Sequence, residues 1–261
     1  MNFPLLKENI LTIEEIHLGT SNETYLLNGK YIYRRKLLSD PPFFSPTNEA
    51  AILKAIEGKE IAPRQIAYDP VRGDKVESYL EGARWLEPKK DDLLLFAPLL
   101  RKLHSLPIEG IAPFKTKERY EYYKSRSGED LGEEGLYKEI APLLNGERAI
   151  CHNDIWAGNA LISNGKAYLI DFEFAGINSP IFDLASLISE NKITDKETIF
   201  AFLRVYYQKN DVEKEYISLA KVMHFEDALW FYWAKCRYLA TGQEGFLKIM
   251  ESKKAAFLKE Q

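Results

Sequence analysis

The sequence predicts an α+β chain, with short strands early and helices dominant beyond, long enough for one long domain or two lobes. Three observations predict it. Short β-branched and aromatic runs joined by turns occupy residues 13–80, and apolar residues at helical spacing fill much of residues 91–241. A hairpin centred on Asn164-Gly165 interrupts the helical part, and Asn-Gly between apolar runs favours a hairpin because both residues accept φ > 0. With 261 residues the chain can bury a large core, and 46% hydrophobic with 28% charged residues is ordinary for a globular enzyme. A net charge of -4 gives no electrostatic reason to expect a nucleic-acid partner. Cys151 and Cys236 form neither a disulfide framework nor a metal-ligand pattern, which fits a reducing compartment. Residues 1–16 hold no signal-like apolar region, and the apolar run near Ala228 to Ala240 is short and broken by Lys235 and Arg237. A cytoplasmic protein without membrane insertion is expected.

In chain order, Ile13 to Leu18 and Thr24 to Leu27 read as strands flanking Gly19-Thr20-Ser21-Asn22. The turn Asn28-Gly29 leads into a third strand, Lys30 to Arg35, on which Arg34 and Arg35 must face opposite ways. Ser45 as N-cap and Pro46 at the first position start a helix to Glu57 that buries Ile52, Leu53 and Ile56 and stops at Gly58, with Glu49 in its first turn. Strands follow at Gln65 to Tyr68 and Asp74 to Leu80, and the lobe boundary falls near Gly82. Beyond it come a helix from Asp91 to Leu106, with His104 packing at its end, and a short helix from Leu136 to Leu144. Between them, residues 107–135 are rich in Pro, Gly and charge, with Tyr120, Tyr122 and Tyr123 on a short helix, and carry no readable function. A last helix, Phe225 to Thr241, ends at Gly242 and places Trp230 and Trp233, three residues apart, on one face.

The chemistry is concentrated between Cys151 and Gly176. The hairpin Ala160 to Ile170 brings Asn159 and Asp171 together at its open end, and Asp154 stands five residues before Asn159 on the preceding loop. That arrangement suits phosphoryl transfer, in which the protein places metal, phosphates and an acceptor hydroxyl rather than reacting covalently. An acid and an amide at the hairpin mouth suit Mg²⁺, a hard cation that binds oxygen beside phosphate. A separate carboxylate can take or orient the hydroxyl proton.

The pattern HxDxxxxN from His152 to Asn159, followed by Ile170-Asp171-Phe172-Glu173, resembles the choline/ethanolamine kinase family within the aminoglycoside phosphotransferase-like group. The resemblance implies a two-lobed protein-kinase-like fold, with a small antiparallel-sheet N-lobe that binds ATP over residues 1–81 and a larger, mostly helical C-lobe, catalytic and acceptor-binding, over residues 82–261. It implies Asp154 as the catalytic base, and Asn159, Asp171 and Glu173 as the metal site. For ATP it implies Thr20, Ser21 and Asn22 over the phosphates, although these also read as plain turn residues. Arg34 stands at the strand position of the phosphate-binding cation, Glu49 matches the helix glutamate that pairs with it, and Glu77 and Tyr79 lie in the hinge. His152 braces the loop, Asp183 holds it, and Trp156 and Cys151 are packing residues.

After Glu173 the chain continues Phe174-Ala-Gly and then Phe182-Asp183, with Glu190 seven residues beyond Asp183, similar to the same family. Trp230 and Trp233 match its choline-pocket helix. Aromatic faces suit a quaternary ammonium, which has no N–H to donate. The same stripe also reads as core. The function implied is ATP- and Mg²⁺-dependent phosphorylation of choline, with Asp154, Phe174, Glu190, Trp230 and Trp233 around the acceptor. Ethanolamine, thiamine or an aminoglycoside are the alternative acceptors, and a catalytically silent nucleotide-binding module is the alternative of another class.

Overall fold

Five antiparallel strands build the N-terminal part of the computed structural model, which describes residues 3–16, 22–37 and 43–259. They are β1 (Ile13–Ile16), β2 (Asn22–Leu27), β3 (Tyr31–Lys36), β4 (Gln65–Tyr68) and β5 (Lys75–Ser78), in the order β1-β2-β3-β5-β4. Asn28 and Gly29 take φ of 53° and 63° as the turn requires, but Leu27 pairs with Tyr31, so the loop is a residue longer than the tightest hairpin. Register then sorts the side chains. Tyr25, Tyr33 and Val76 pair across one face and form a small core with Phe3 and Leu27. The other face carries the rows Thr24-Arg34-Lys75 and Leu26-Ile32-Glu77, with Lys36 opposite Asn22.

The helix α1 (Pro46–Ile56) begins as its sequence demands, with the Ser45 hydroxyl accepting from the Asn48 N–H at 3.3 Å. It buries Ile52, Leu53 and Ile56 in the main core.

The C-terminal part is helical around a long central element. Its helices are α2 (Lys90–His104), α3 (Thr116–Ser127), α4 (Glu134–Leu144), α5 (Pro180–Ser189), α6 (Lys196–Tyr207), α7 (Glu213–Thr241) and α8 (Glu244–Lys259). Gly242 stops α7 in the left-handed conformation, as expected, but α7 starts at Glu213 rather than Phe225. The buried Leu219 and Val222 extend its apolar face upstream through a stretch too charged to read as core.

Short strands fix the functional segment. β7 (Ala149–Cys151) pairs with β10 (Gly176–Asn178), and β8 (Ala160–Ser163) pairs with β9 (Lys166–Leu169) across the turn Asn164-Gly165, with β6 (Arg84–Trp85) on its outer edge. Gly176 is demanded by closeness, since a Cβ there would lie 2.9 Å from the Ala112 carbonyl oxygen.

The stretch 107–135, without a readable role in the sequence, is fastened by a buried carboxylate. Glu133 accepts hydrogen bonds from Tyr120, from Tyr232 at 2.8 Å and from Lys124 at 2.8 Å, and the Leu131 N–H donates to the Tyr232 hydroxyl at 2.8 Å. This network seats α3 and the loop before α4 on α7. Glu133→Ala would remove the acceptor of two hydroxyls and leave Lys124 paired with Asp130 alone. It should cost ~3 kcal/mol or more of unfolding free energy in urea denaturation, with Glu133→Gln losing less.

Candidate active site

The loop between β7 and β8 is held from below by α5. Asp183, fully buried, accepts from the backbone N–H of His152 at 2.8 Å and of Asn153 at 2.6 Å. His104 Nε2 lies 3.0 Å from the same carboxylate, so the expected packing histidine also orients Asp183. Ser186 Oγ accepts from the Ile155 N–H at 2.9 Å, and the Asn191 amide donates to the Ile155 carbonyl at 3.1 Å. His152 braces the loop as expected, with Nε2 3.0 Å from the Ile170 carbonyl oxygen and burial pulling its pKa down. Burial pushes the Cys151 thiol well up, which leaves it no nucleophile. Fixed on both sides, the loop presents Asp154.

Asn159 Nδ2 donates to the Asp154 carboxylate at 2.9 Å and to its carbonyl oxygen at 3.0 Å. Burial, reinforced by the Glu190 and Asp171 charges, raises the Asp154 pKa to about 7 despite that hydrogen bond. A carboxylate so poised suits proton transfer near neutrality.

Asp171 ends the hairpin with φ of 68°, a left-handed conformation that Asp tolerates better than most residues. Its carboxylate reaches across to the sheet, 2.9 Å from Lys75 Nζ, 3.1 Å from an Arg34 guanidinium nitrogen and 3.3 Å from the Asn22 amide. Burial opposes its ionisation, but Lys75, Arg34 and Lys36 overcome that and hold its pKa well below the usual range. Arg34 and Asn22 thus both reach the cleft, but Asn22 opens β2 and is not part of the turn before it. Glu49 departs from expectation in its partner: it bonds Lys75 at 2.7 Å and the Tyr68 hydroxyl at 2.9 Å, because Lys75 lies beside Arg34 on the same sheet face. Glu173 meets Lys36, which follows Arg34 by two residues and therefore shares its face. Thr20 and Ser21 lie outside the described residues.

Two cavities share Thr24 and Arg34. The smaller, about 210 Å³, lies between Ile16 and Ile32 of the sheet and Leu161 and Ile170 of the hairpin, with Glu77, Tyr79 and Leu80 at its back. The Tyr79 N–H donates to the Lys30 carbonyl at 2.7 Å, so the Tyr79 backbone offers a ligand its carbonyl alone. Glu77, 2% exposed, has a pKa raised by burial and adjoins the cavity with its side chain.

The larger cavity, about 410 Å³, joins Asp154, Asn159, Asp171 and Glu173 to Phe174, Glu190, Trp230 and Trp233. Phe174, Trp230 and Trp233 are mutually near-perpendicular, at 85°, 79° and 90°, with centroids 5.7, 6.2 and 5.9 Å apart. The three nearly orthogonal rings, with Arg119 over the Phe174 ring, form an aromatic corner of this cavity. Trp156, expected as packing, is instead 43% exposed and lines this cavity above Gly158, where a Cβ would lie 2.2 Å from its ring. Glu190 is paired with Lys253 of α8, a residue without any sequence signal near Glu190. Lys75 escaped notice too, although it alternates with Glu77 on a strand.

A helix-supported loop with a poised carboxylate, facing a cation-lined sheet across a cleft, defines a phosphotransferase of kinase-like architecture. Residues 12–214 match the Phosphotransferase enzyme family, and the chain belongs to that family. Protein LicA of Haemophilus influenzae is 32% identical over 92 residues, 33% of this chain and 34% of that protein. A probable ethanolamine kinase of Arabidopsis thaliana is 28% identical over 120 residues, 42% of this chain and 32% of that protein. The matched stretches therefore span about a third of these curated relatives, at 34% and 32% of their length. The fold is that of the choline kinase LicA from Streptococcus pneumoniae, at a TM-score of 0.76 and 21% identity over 96% of this chain and 94% of that one.

The raised Asp154 pKa has a measurable consequence. In the unfolded chain the carboxyl ionises near its ordinary 3.8, in the folded chain near 7, so the folded state binds the proton more tightly. Its contribution to stability is present below the unfolded value and is lost as pH rises through the folded one. In ligand-free protein, Asp154→Asn should therefore gain melting temperature over the wild type progressively from pH 4 to about 7, with a constant gap above. A gap independent of pH would show that Asp154 ionises normally.

Proposed function

We propose that the chain transfers the terminal phosphoryl group of ATP to the hydroxyl of choline, giving phosphocholine. The aromatic corner carries this reading: Phe174, Trp230 and Trp233 adjoin Asp154 within one cavity, so a compact cation held there has its hydroxyl arm beside the poised carboxylate. The smaller cavity fits a purine by its apolar walls. Arg34, shared by both cavities, and the neighbouring Lys75 and Lys36 supply positive charge where the phosphates would join base to acceptor.

Asp154 accepts or orients the hydroxyl proton, and Asn159 fixes its carboxylate. Asn159, Asp171 and Glu173 offer oxygen donors alone, and positive side chains already lie against both carboxylates, so the set fits a hard cation. These three residues would hold Mg²⁺, whose charge would offset that of the phosphates. The pairing of Asp171 with Lys75 and Arg34 keeps that carboxylate ionised, and α5 keeps the loop in register.

Choline is favoured by the corner itself and by the activity named for the LicA of Streptococcus pneumoniae. Ethanolamine is the second reading, favoured by the Arabidopsis relative. A cytoplasmic location accords with the two cysteines being unpaired.

ADP release from ATP and Mg²⁺ with choline, ethanolamine, thiamine or an aminoglycoside as acceptor tests the proposal. Choline should give the highest kcat/KM; turnover of thiamine or a sugar in its place would discard the acceptor assignment. Trp230→Ala should raise the choline KM roughly 30-fold, the equivalent of ~2 kcal/mol for a desolvated cation–π contact. Asp154→Ala should lower kcat by about 10²–10⁴ while nucleotide binding persists.

A further inference from the structure

Lys253 comes from α8 to the wall of the acceptor cavity, where it is 8% exposed. Its ammonium lies against Glu190 and, at 2.8 Å, against Asp227. Behind them Glu226 is fully buried, and desolvation together with the Glu190 charge pushes its pKa well up. One ammonium between two carboxylates leaves a net negative charge. This wall therefore attracts any cation at a distance, whatever donors it carries.

Hydrogen bonding is a separate matter. Of the acidic side chains lining the cavity, Asp171 and Glu173 face the sheet cations, Asp154 faces Asn159, and Glu190, beside the aromatic corner, already has its charge paired with Lys253. The Trp233 ring N–H is buried without a hydrogen-bond partner, and an indole N–H donates but cannot accept. A primary ammonium would bring three donors into this corner, where the indole cannot accept and the Glu190 carboxylate is already neutralised by Lys253, so it recovers only part of what it loses from water. A quaternary ammonium brings no N–H and loses nothing of that kind, while its methyl groups meet the aromatic corner.

We propose that Lys253 is the specificity-determining residue of the acceptor cavity, neutralising Glu190 so that the aromatic corner takes a quaternary ammonium in preference to a primary one. The proposal rests on the acceptor reading above and deepens it. Lys253 acts through Glu190 and is a positioning residue rather than a catalytic one.

The test compares choline with ethanolamine on the full chain, by calorimetric binding and by kcat/KM with ATP and Mg²⁺. The wild type should favour choline in both. Lys253→Met frees Glu190 as an acceptor and should shift the choline-to-ethanolamine ratio toward ethanolamine about tenfold or more, as expected for a regained hydrogen bond to a charged group. Lys253→Arg should keep the wild-type ratio, and adding Glu190→Gln to Lys253→Met should return it most of the way. If Lys253→Met does not fold, Lys253→Gln, which can still donate to Asp227, should move the ratio in the same direction by a smaller factor. A wild type that prefers ethanolamine, or a folded Lys253→Met with a ratio within about twofold of wild type, overturns the inference and leaves the kinase reading standing. Failure of the wild type to bind either amine removes the acceptor reading, and this inference with it. Binding without turnover discards the transfer reaction alone, and the binding ratio then decides the role of Lys253.

Discussion

The contact between Asp171 and the paired cations of the sheet is the constraint on which the rest of the cleft depends. Asp171 belongs to the hairpin of the helical part, whereas Lys75 and Arg34 are neighbours on β5 and β3, and they meet at 2.9 and 3.1 Å. Carboxylates and cations also balance there, with Glu49, Asp171 and Glu173 set against Arg34, Lys36 and Lys75. Burying such a cluster is tolerable because every charge has a partner, and removing one partner would leave another stranded at several kcal/mol, ~3–5. Cations fixed in a partly dry cleft are also preorganised for phosphate and need little rearrangement when it arrives. An incoming polyphosphate would compete with Asp171 for them, and a divalent cation would restore the balance.

The two sides of the cleft are made by different physics. Below, the catalytic loop is positioned by directed hydrogen bonds: Asp183 and Ser186 on α5 take the backbone N–H groups of His152, Asn153 and Ile155. Such bonds fix a backbone to a few tenths of an ångström, the tolerance that proton transfer demands. The acceptor corner is shaped by packing instead. Phe174 follows Asp171 by three residues while Trp230 and Trp233 sit on α7, so the long central helix carries both the core of the helical part and the corner of the site. One stripe thus both packs in the core and borders the cavity. Trp230 is 7% exposed and packs in the hydrophobic core, yet lines the cavity.

Local patterns were legible in the sequence and distant pairings were not. Asn28-Gly29, Asn164-Gly165, Ser45-Pro46 and Gly242 each act within a few residues, and each stands where its backbone chemistry requires. The motif from His152 to Glu173 was legible for the same reason, since one hairpin brings its parts together. The partner of Glu49 was not, because Lys75 lies 26 residues away and is chosen by strand register. Lys36 could have been found from Arg34 by alternation alone. Lys253, 63 residues from Glu190, could not, and neither could the anchoring of residues 107–135 through Glu133 and Tyr232, 99 residues apart.

The shape of the two cavities favours direct transfer over a relay through the protein. They share Thr24 and Arg34, so under the proposed reading a nucleotide seated in the smaller one would have its phosphates leading into the larger. Neither cavity is lined by a cysteine or histidine among the described residues, and the nearby Cys151 and His152 are fully buried behind the loop. Asp171 and Glu173 are occupied by cations, which weakens a carboxylate as a nucleophile. Asp154, hydrogen-bonded by Asn159 and with its pKa near 7, is suited to taking a proton at the aromatic side of the cleft. An acceptor hydroxyl lying between Asp154 and the incoming phosphate would need no covalent intermediate, because the protein has then supplied the two things the reaction asks of it, alignment and charge.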